Sequence, residues 1–348
     1  MRSLDRLRSA IAAPPPAPGA QRHLDSLTKP PGSLGRLEEL ALRLAALRGG
    51  APRVEQPVIF TFAADHGVVA ERVSAYPQSV TAQMVENFLR GGAAVNVLAR
   101  QAGARVVVAD FGVATPLAAS DALASVRIGA GTANIALGPA MSRAQAVAAI
   151  EAGAALAEAA LDEGADLLGT GEMGIGNSTA AAAVVAAVSG AEPERVTGRG
   201  TGIDDATRRR KVEAVRRALD VNRPDPRDGL DVLAKLGGFE IGGLAGVILA
   251  GAAHRVPVAL DGFIAGAAAL VATALAPDAR HALFAAHRSA EPGHAVVLDH
   301  LGLVPYLDLE LRLGEGTGAA LFVHLARAAC RIWAEMATFK SAGVDGPA

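Results

Sequence analysis

Hydrophobic positions in this chain follow two different periodicities. From residue 57 onward, short apolar runs alternate with longer segments in which apolar residues recur at helical spacing. The helical segments cover residues 80–100, 142–164 and 205–222, and alternation of this kind predicts a parallel sheet with helices on both faces. The apolar runs are "PVIFTFAADHG", "ARVVVADFGV", "ADLLGTGEMGIGN", "VPVALDGF" and "HALFAAHRSAE".

The two ends of the chain are predicted to be helical. Leu37, Ala41 and Leu44 recur at helical spacing after "TKPPGSLG", where two prolines exclude helix and Ser33 is available as an N-cap. The chain becomes helical again after residue 318. We therefore predict a Rossmann-like α/β domain over residues 55–315 and a small helical domain built from residues 1–54 and 316–348.

One apolar stretch, from Ile241 to Pro277, has the length of a membrane span. It contains "HRVP" and Asp261 near its middle, and a charge at that depth of a bilayer is costly. A buried helix, strand and second helix is therefore the predicted structure. The N-terminus carries charges where a signal peptide would be apolar, so no secretory signal is expected.

Composition narrows the possible functions. The 348 residues are 51% hydrophobic but only 3% aromatic, which predicts a core of small aliphatic side chains. A net charge of −2 argues against a nucleic-acid or membrane-surface partner. The single cysteine, Cys330, cannot form an internal disulfide, and a cytoplasmic location is expected. No His/Cys cluster has ligand spacing, so neither a metal nor a cofactor is expected.

Polar groups follow the predicted strands, where ligands bind in open α/β sheets. Any one of them could instead be a helix cap or a solvated loop residue. As a set beside glycines, they predict a ligand crevice at that edge. The groups are Asp65, His66, Asp110, Glu172, Asp261, His287, Ser289 and Glu291.

Two glycine-rich loops are candidates for binding an anion. "GTGEMGIGNST" (residues 169–179) follows a strand and opens a helix, whose N–H groups and dipole favour negative charge. "TGRGTGIDD" (residues 197–205) precedes a helix that carries Arg208 to Lys211. That basic run is more often a solvated helix face, and at most two of its four side chains can point into a crevice.

Two further features remain ambiguous from the residues alone. Tyr76, followed by Gln83 and Met84, is either a stacking surface for a flat ring or an ordinary packed loop residue. Glu315 lies between two glycines before a long apolar helix. Partial burial would raise the pKa of its carboxyl and suit a general base, but the position equally suits a carboxylate that favours the helix dipole.

Several motifs together resemble the nicotinate-nucleotide–dimethylbenzimidazole phosphoribosyltransferase family. The resemblance runs from about residue 22 to about residue 337, with the motifs in the family's order and spacing. The motifs are "LTKPPGSLGRLEELA", "ADHGV", "GEMGIGNST", "DPRDGLDVLAKLGGFEIGGLAG", "ALDGFI", "HRSAEPGH" and "RLGEGTGAAL".

The resemblance implies transfer of phosphoribose from nicotinate mononucleotide to 5,6-dimethylbenzimidazole, within cobalamin assembly, by a homodimer. It implies that Glu315 is the catalytic glutamate and Glu172 a second active-site glutamate. An oxocarbenium-like reacting carbon gains from nearby negative charge, which Glu172 or Asp261 could supply. The remaining implied contacts are to phosphate or nucleotide (Gly174, Gly176, Asn177, Gly200, Lys211, Ser289) and to the benzimidazole (Tyr76, Gln83, Met84).

Two other functions use the same residues. A nucleosidase or phosphoribosyl hydrolase would replace the base by water, although water needs no flat apolar surface such as the one expected around Tyr76. A non-catalytic nucleotide-binding module would explain the glycine loops but gives no reason for Glu315.

Overall fold

A computed structural model describes residues 3–15, 17–200 and 202–346. Six positions of the predicted helical domain and of the second glycine-rich loop lie outside the described residues: 1, 2, 16, 201, 347 and 348. The described chain contains eight strands. They are β1 Pro57–Ala64, β2 Arg105–Gly112, β3 Leu123–Ser125, β4 Leu167–Met173, β5 Val258–Leu260, β6 Leu283–Ala285, β7 His287–Arg288 and β8 Leu307–Asp308.

Helices cover most of the remaining described chain. They are α1 Ser3–Ala10, α2 Pro18–Ser26, α3 Arg36–Arg48, α4 Ser79–Leu89, α5 Ala94–Ala102, α6 Arg143–Asp162, α7 Asn177–Ser189, α8 Pro193–Val196, α9 Asp205–Asn222, α10 Gly229–Leu236, α11 Phe239–Ala253, α12 Phe263–Leu275, α13 Pro292–Leu301, α14 Thr317–Glu335 and α15 Phe339–Ala342.

Six strands form one parallel sheet in the order β3-β2-β1-β4-β5-β6. This is the doubly wound Rossmann order, in which the direction of winding reverses between β1 and β4. The α/β prediction is therefore confirmed. β7 and β8 form a separate two-stranded parallel sheet immediately after β6.

The apolar stretch from Ile241 to Pro277 forms α11, β5 and α12, as predicted, and nearly all of it is buried. Small residues let its helices approach their neighbours closely. A methyl group on Gly153 of α6 would overlap the backbone of Gly243 in α11. α6 is, in the described chain, the one helix with the length and composition to cross a membrane, and it packs against α11 inside the protein.

Two local predictions are wrong. The segment 80–100 is two helices, because the chain turns at Gly91 (φ 75°) between α4 and α5. Ser33 does not cap α3, which begins after Gly35 with no side-chain cap bond. Glu38 holds that turn instead: its Oε1 accepts from Leu34 N at 2.9 Å and its Oε2 lies 2.8 Å from the buried Lys29 Nζ.

The terminal segments meet in space. α3 packs against α14, and Leu27 and Thr338 form an isolated antiparallel bridge. α14 also packs against β4 and β5 of the sheet. The division into a sheet domain (residues 55–315) and a terminal helical domain (residues 1–54 and 316–348) remains a prediction, and α14 would be the element joining the two.

Candidate active site

Three carboxylates from distant parts of the chain meet at the carboxyl edge of the sheet. Glu172 ends β4, Asp261 follows β5, and Glu315 precedes α14; all three are buried. Asp261 and Glu315 both act on the Glu172 carboxyl, as does Glu240 at the start of α11. The parallel topology explains the meeting, because the carboxyl ends of neighbouring strands lie side by side.

The backbone around Glu315 is unusual. Gly314, Glu315 and Gly316 all have positive φ values, of 84°, 64° and 100°. For a glutamate this conformation costs roughly 1–3 kcal/mol, so surrounding contacts must hold it in place. A side chain at Gly171 would overlap the Glu315 carbonyl oxygen, and that oxygen also accepts from Thr61 Oγ1 at 2.8 Å. Because Gly171 has no side chain, the loop that carries Glu315 can lie directly on β4 and β1.

The Glu315 side chain lies at the start of a second helix. Its Oε2 accepts from Val95 N, in the first turn of α5, at 3.3 Å. Burial raises the pKa of the Glu315 carboxyl, the Val95 bond partly opposes this, and the charge of Asp261 raises the pKa further. A carboxylate with a raised pKa is a better proton acceptor near neutral pH than an exposed one.

Asp261 holds the N-terminus of α14. Its Oδ1 accepts from Gly318 N at 2.6 Å and its Oδ2 accepts from Gly316 N at 3.1 Å. His287 Nε2 lies 3.5 Å from the same Oδ1. Both carboxylate oxygens thus have protein donors, and the residue is fixed at the edge of the sheet by its backbone N–H, which donates to Thr170 Oγ1 at 3.2 Å.

Glu172 is the most perturbed of the three carboxylates. Desolvation raises the pKa of Glu172 well above its ordinary value, and the charges of Asp261, Glu240 and Glu315 add to this; the Asn177 side chain, which donates to its Oε2, acts against it. The backbone at Gly314 lies so close that a side chain there would overlap Glu172 Oε1. Glu172 therefore faces the Glu315 loop on one side and the start of α7 on the other.

The glycine-rich loop after β4 leads into α7 as predicted. Gly174 lies against the carbonyl of Ala64, where a side chain would not fit, and Gly176 is the N-cap with φ 96°. Ile175 N donates to Thr81 Oγ1 of α4 at 3.1 Å, which ties the loop to that helix. A small cavity lies at the start of α7, with Asn177 and Ser178 in its wall.

Lys211 reaches the same cavity from α9. Its Nζ donates to Ser178 Oγ at 2.9 Å and lies 3.5 Å from the carbonyl of Gly198. Burial lowers the pKa of Lys211 to about 8, although Glu291 acts in the opposite direction. Gly200, which also lines the cavity, donates its N–H to Glu291 Oε1 at 2.8 Å. The two predicted glycine loops are thus brought together around one ammonium group.

Ser289 lies between the three carboxylates and the Lys211 cavity. Its N–H donates to His294 Nδ1 at 2.8 Å, and its Oγ accepts from Glu291 N at 3.3 Å. Burial lowers the pKa of His294 to about 3, which keeps that ring neutral and able to accept. Ser289 also lies close to Gly262, next to Asp261.

The predicted ring-binding residues are more exposed. Tyr76 is 51% exposed in the loop before α4, and Gln83 and Met84 are an exposed and a half-buried residue of α4. Val73 and Ser74, just before Tyr76, line the Lys211 cavity. The segment therefore begins at the glycine-rich loop, and a role for these three side chains in binding a ring stays a prediction.

Asp110 does not join the three carboxylates. Its Oδ1 accepts from Val113 N at 2.7 Å and its Oδ2 lies 3.3 Å from Arg127 Nη1, which holds the turn between β2 and β3. Of the two roles that the sequence left open for each of these groups, Asp110 therefore has that of a loop residue. β2 is one strand removed from the switch point, so its loop can serve the local turn instead.

Sequence reasoning missed the groups that hold the loops. Val95 acts through its backbone N–H, which leaves no signal in the sequence, and Thr61 and Thr81 look like ordinary strand and helix residues. His66 and Glu240 form a buried pair, with Nε2 2.6 Å from Oε1. The position of His66 after β1 was a signal, but nothing in the sequence indicated its partner.

Among the described residues, no group of three or more His, Cys, Asp or Glu side chains is arranged to hold a metal ion.

Comparison with known proteins agrees with this arrangement. A family model described as "Phosphoribosyltransferase" matches residues 14–344. The nicotinate-nucleotide–dimethylbenzimidazole phosphoribosyltransferase of Chloroflexus aggregans is 59% identical, over 94% of each chain. The protein of that name from Roseiflexus sp. is 58% identical over 95% of this chain and 94% of its own.

Solved structures match equally well. A crystal structure of the phosphoribosyltransferase of the same name from Thermus thermophilus superposes with a TM-score of 0.90 at 50% identity, covering 95% of this chain and 98% of its own. Sequence and fold therefore agree over almost the whole length, and the chain belongs to the nicotinate-nucleotide–dimethylbenzimidazole phosphoribosyltransferase family and is a transferase.

Proposed function

We propose that this enzyme transfers phosphoribose from nicotinate mononucleotide to 5,6-dimethylbenzimidazole, giving α-ribazole 5′-phosphate and nicotinate for cobalamin assembly, with Glu315 as the general base. The burial of Glu315 at the start of α5, which raises the pKa of its carboxyl, is the observation that carries the proposal. The names of the relatives support the proposed substrates, and the geometry of the site supports the proposed roles of the residues.

The reaction needs a base and no acid at the leaving group. The pyridinium of nicotinate mononucleotide already carries a positive charge, so it departs from C1′ as a neutral ring. The attacking benzimidazole nitrogen becomes part of a cationic ring until the other N–H loses its proton. Glu315 accepts that proton, and such help is typically worth about 100- to 10,000-fold in rate.

The phosphate is assigned to the cavity at the start of α7. Lys211 supplies a positive charge there, while Gly174, Gly176 and Gly200 let a ligand approach the backbone. Asn177 joins this site to Glu172, and Ser289 lies beside it through Glu291. A phosphate in this cavity would leave the ribose directed towards the three carboxylates.

Negative charge near C1′ favours the reaction as well. The sugar carbon gains positive character in the transition state, and a carboxylate close to it is stabilising. Glu172 and Asp261 are assigned this role. The pyridinium of bound nicotinate mononucleotide would oppose the raised pKa of the Glu172 carboxyl and favour its charged form. Positioning two bound rings supplies much of the remaining rate enhancement.

The acceptor base is assigned to the surface formed by Tyr76, Gln83 and Met84. Exposure of Tyr76 supports this assignment, since a ring can stack on its free face. Assembly as a homodimer and a location in the cytoplasm are further parts of the proposal and rest on the resemblance and the cysteine usage.

A chromatographic assay of the purified protein tests the proposal. Nicotinate mononucleotide is incubated with and without 5,6-dimethylbenzimidazole, and nicotinate and α-ribazole 5′-phosphate are quantified. Equal amounts of the two products, formed only when the base is present, are expected. Equal release of nicotinate without the base would identify a hydrolase instead and would remove the role given to Tyr76.

A further inference from the structure

The loop that carries Glu315 depends on restraint from outside its own sequence. Its three central residues all have positive φ, and only two of them are glycines. α14 begins with Gly316 as N-cap and has no side-chain cap bond of its own. The N–H groups in its first turn therefore need an acceptor from elsewhere in the fold.

That acceptor is Asp261, and His287 lies directly behind it. The Asp261 carboxylate accepts from the N–H groups of Gly316 and Gly318, one on each oxygen. His287 Nε2 is 3.5 Å from the oxygen bonded to Gly318, and both side chains are almost completely buried. Gly318 has no space for a side chain, because one would overlap the His287 ring. The imidazole, the carboxylate and the start of α14 thus pack as one unit.

We propose that His287 and Asp261 are a positioning pair that fixes the start of α14 and thereby places the Glu315 carboxylate for proton transfer. This inference rests on the proposed role of Glu315 as the base. It gives Asp261 a specific task, holding the loop, and assigns a role to His287, which is outside the set of residues that touch substrate.

The charges around His287 favour its protonated form. Burial would lower the pKa of His287. The hydrogen bond and charge of Asp261, with smaller contributions from the Arg288 backbone and from Asp308 on β8, together raise that pKa above its ordinary value. Arg288 is the neighbouring residue on β7, and His294 of α13 is neutral, with its ring centroid 6.1 Å from that of His287. A cation at His287 also offsets the repulsion between Asp261, Glu172 and Glu315.

The ion pair between His287 and Asp261 depends on pH. The raised pKa means that His287 stays protonated to a higher pH than a free histidine, so the pair is intact at low pH. It is lost as the pH rises through the pKa of His287 in the folded protein. Turnover at saturating substrate should therefore fall on the alkaline side for this reason. The titration of Lys211 would act mainly on nucleotide binding, so kcat and KM separate the two groups.

His287→Leu and His287→Gln test the pair, with His281→Gln as the matched control. His281 precedes β6, at the end of that strand opposite His287, and is partly exposed. Each variant is assayed for kcat and for KM with nicotinate mononucleotide from pH 6 to 9. Amide hydrogen exchange of residues 314–318 is measured alongside, because it reports the loop independently of the reaction.

We expect His287→Leu to lower kcat at least tenfold, with KM for the nucleotide within about twofold, and to speed exchange at Gly316 and Gly318. His287→Gln keeps an N–H donor near the same place, so it should lose less rate but also lose the alkaline fall in kcat. His281→Gln should match the unmodified enzyme in all respects.

Unchanged kcat and unchanged exchange in both His287 variants would overturn the proposal, as would a rise in KM as large as the fall in kcat. Glu315→Gln, assayed in parallel, separates the two proposals. Faster exchange in His287→Leu together with full activity of Glu315→Gln would keep the pair as the restraint on residues 314–318, but would remove Glu315 as the base and the pair's role in proton transfer.

Discussion

Two helices begin at the same edge of the sheet in nearly the same way and are used differently. α7 and α14 both start after a glycine-rich turn, with glycine N-caps at φ 96° and 100° and no side-chain cap bond. At α14 the first N–H groups are bonded to Asp261. At α7 a cavity lies in front of the helix, with Lys211 in its wall.

The difference shows how one local structure can serve two purposes. A helix N-terminus attracts negative charge whether that charge comes from the protein or from a ligand. Where the protein supplies the carboxylate, the helix start is fixed and can hold a catalytic loop. Where the fold instead leaves a cavity and a buried cation, the helix start is suited to a phosphate.

The largest expected effect on activity comes from a substitution next to the start of α14. Glu315→Gln keeps the size of the side chain but cannot accept the proton, so kcat should fall by about 100- to 10,000-fold. Binding of nicotinate mononucleotide, measured by calorimetry, should be unchanged, because the phosphate is assigned to the cavity at the start of α7. A variant with full kcat would show that another group is the base.

The next largest expected effect is on nucleotide binding and comes from a substitution at the α7 cavity. Lys211→Met removes the ammonium but keeps a long apolar side chain, and the dissociation constant for nicotinate mononucleotide should rise by about 10- to 100-fold, as for loss of a charge-assisted bond. The thermal midpoint should not fall, because burial already disfavours the charge of Lys211. An unchanged dissociation constant would place the phosphate elsewhere.

Two glycines allow the helix starts to be disturbed separately. A side chain at Gly171 would overlap the Glu315 backbone, and one at Gly174 would overlap the carbonyl of Ala64. We expect Gly171→Ala to lower kcat by about tenfold and Gly174→Ala to raise KM by a similar factor, since displacements near 1 Å are costly at active sites. Gly138→Ala is the matched control, because φ is not positive there and no atom lies within 4 Å of the added methyl group. Identical kinetic changes in the first two variants would mean that the two helix starts are not independent.

The smallest expected effect is the pH dependence of nucleotide binding. Burial lowers the pKa of Lys211 to about 8, below that of a free lysine, so the ammonium proposed to bind the phosphate is lost as the pH rises through that value. Affinity should fall by about twofold between pH 7 and pH 8 and more steeply above. Calorimetric titrations at several pH values would show this fall, and Lys211→Met should abolish it.

Much of the fold could be predicted from local patterns. The five apolar runs correspond to β1, β2, β4, β5 and the β6–β7 segment, and α9 has the predicted bounds. β3 was missed because Leu123–Ser125 is short and partly exposed, with no apolar run to mark it. The break between α4 and α5 had a signal, the pair Gly91-Gly92, which the helical periodicity on either side obscured.

The type of fold, the family and the polar residues that end the strands near the switch point could all be predicted from the amino-acid sequence. These follow from local periodicity and from motifs, which depend on residues close in the chain. Contacts between distant parts of the chain determine that Asp261 accepts from the start of α14, that Lys211 lies at the start of α7, and that Asp110 holds a turn. Those choices depend on contacts across as many as 57 residues of sequence, from Asp261 to Gly318, and on how closely the elements pack. No local pattern encodes them, because the same carboxylate at a strand end can accept from any helix start that packing brings within reach.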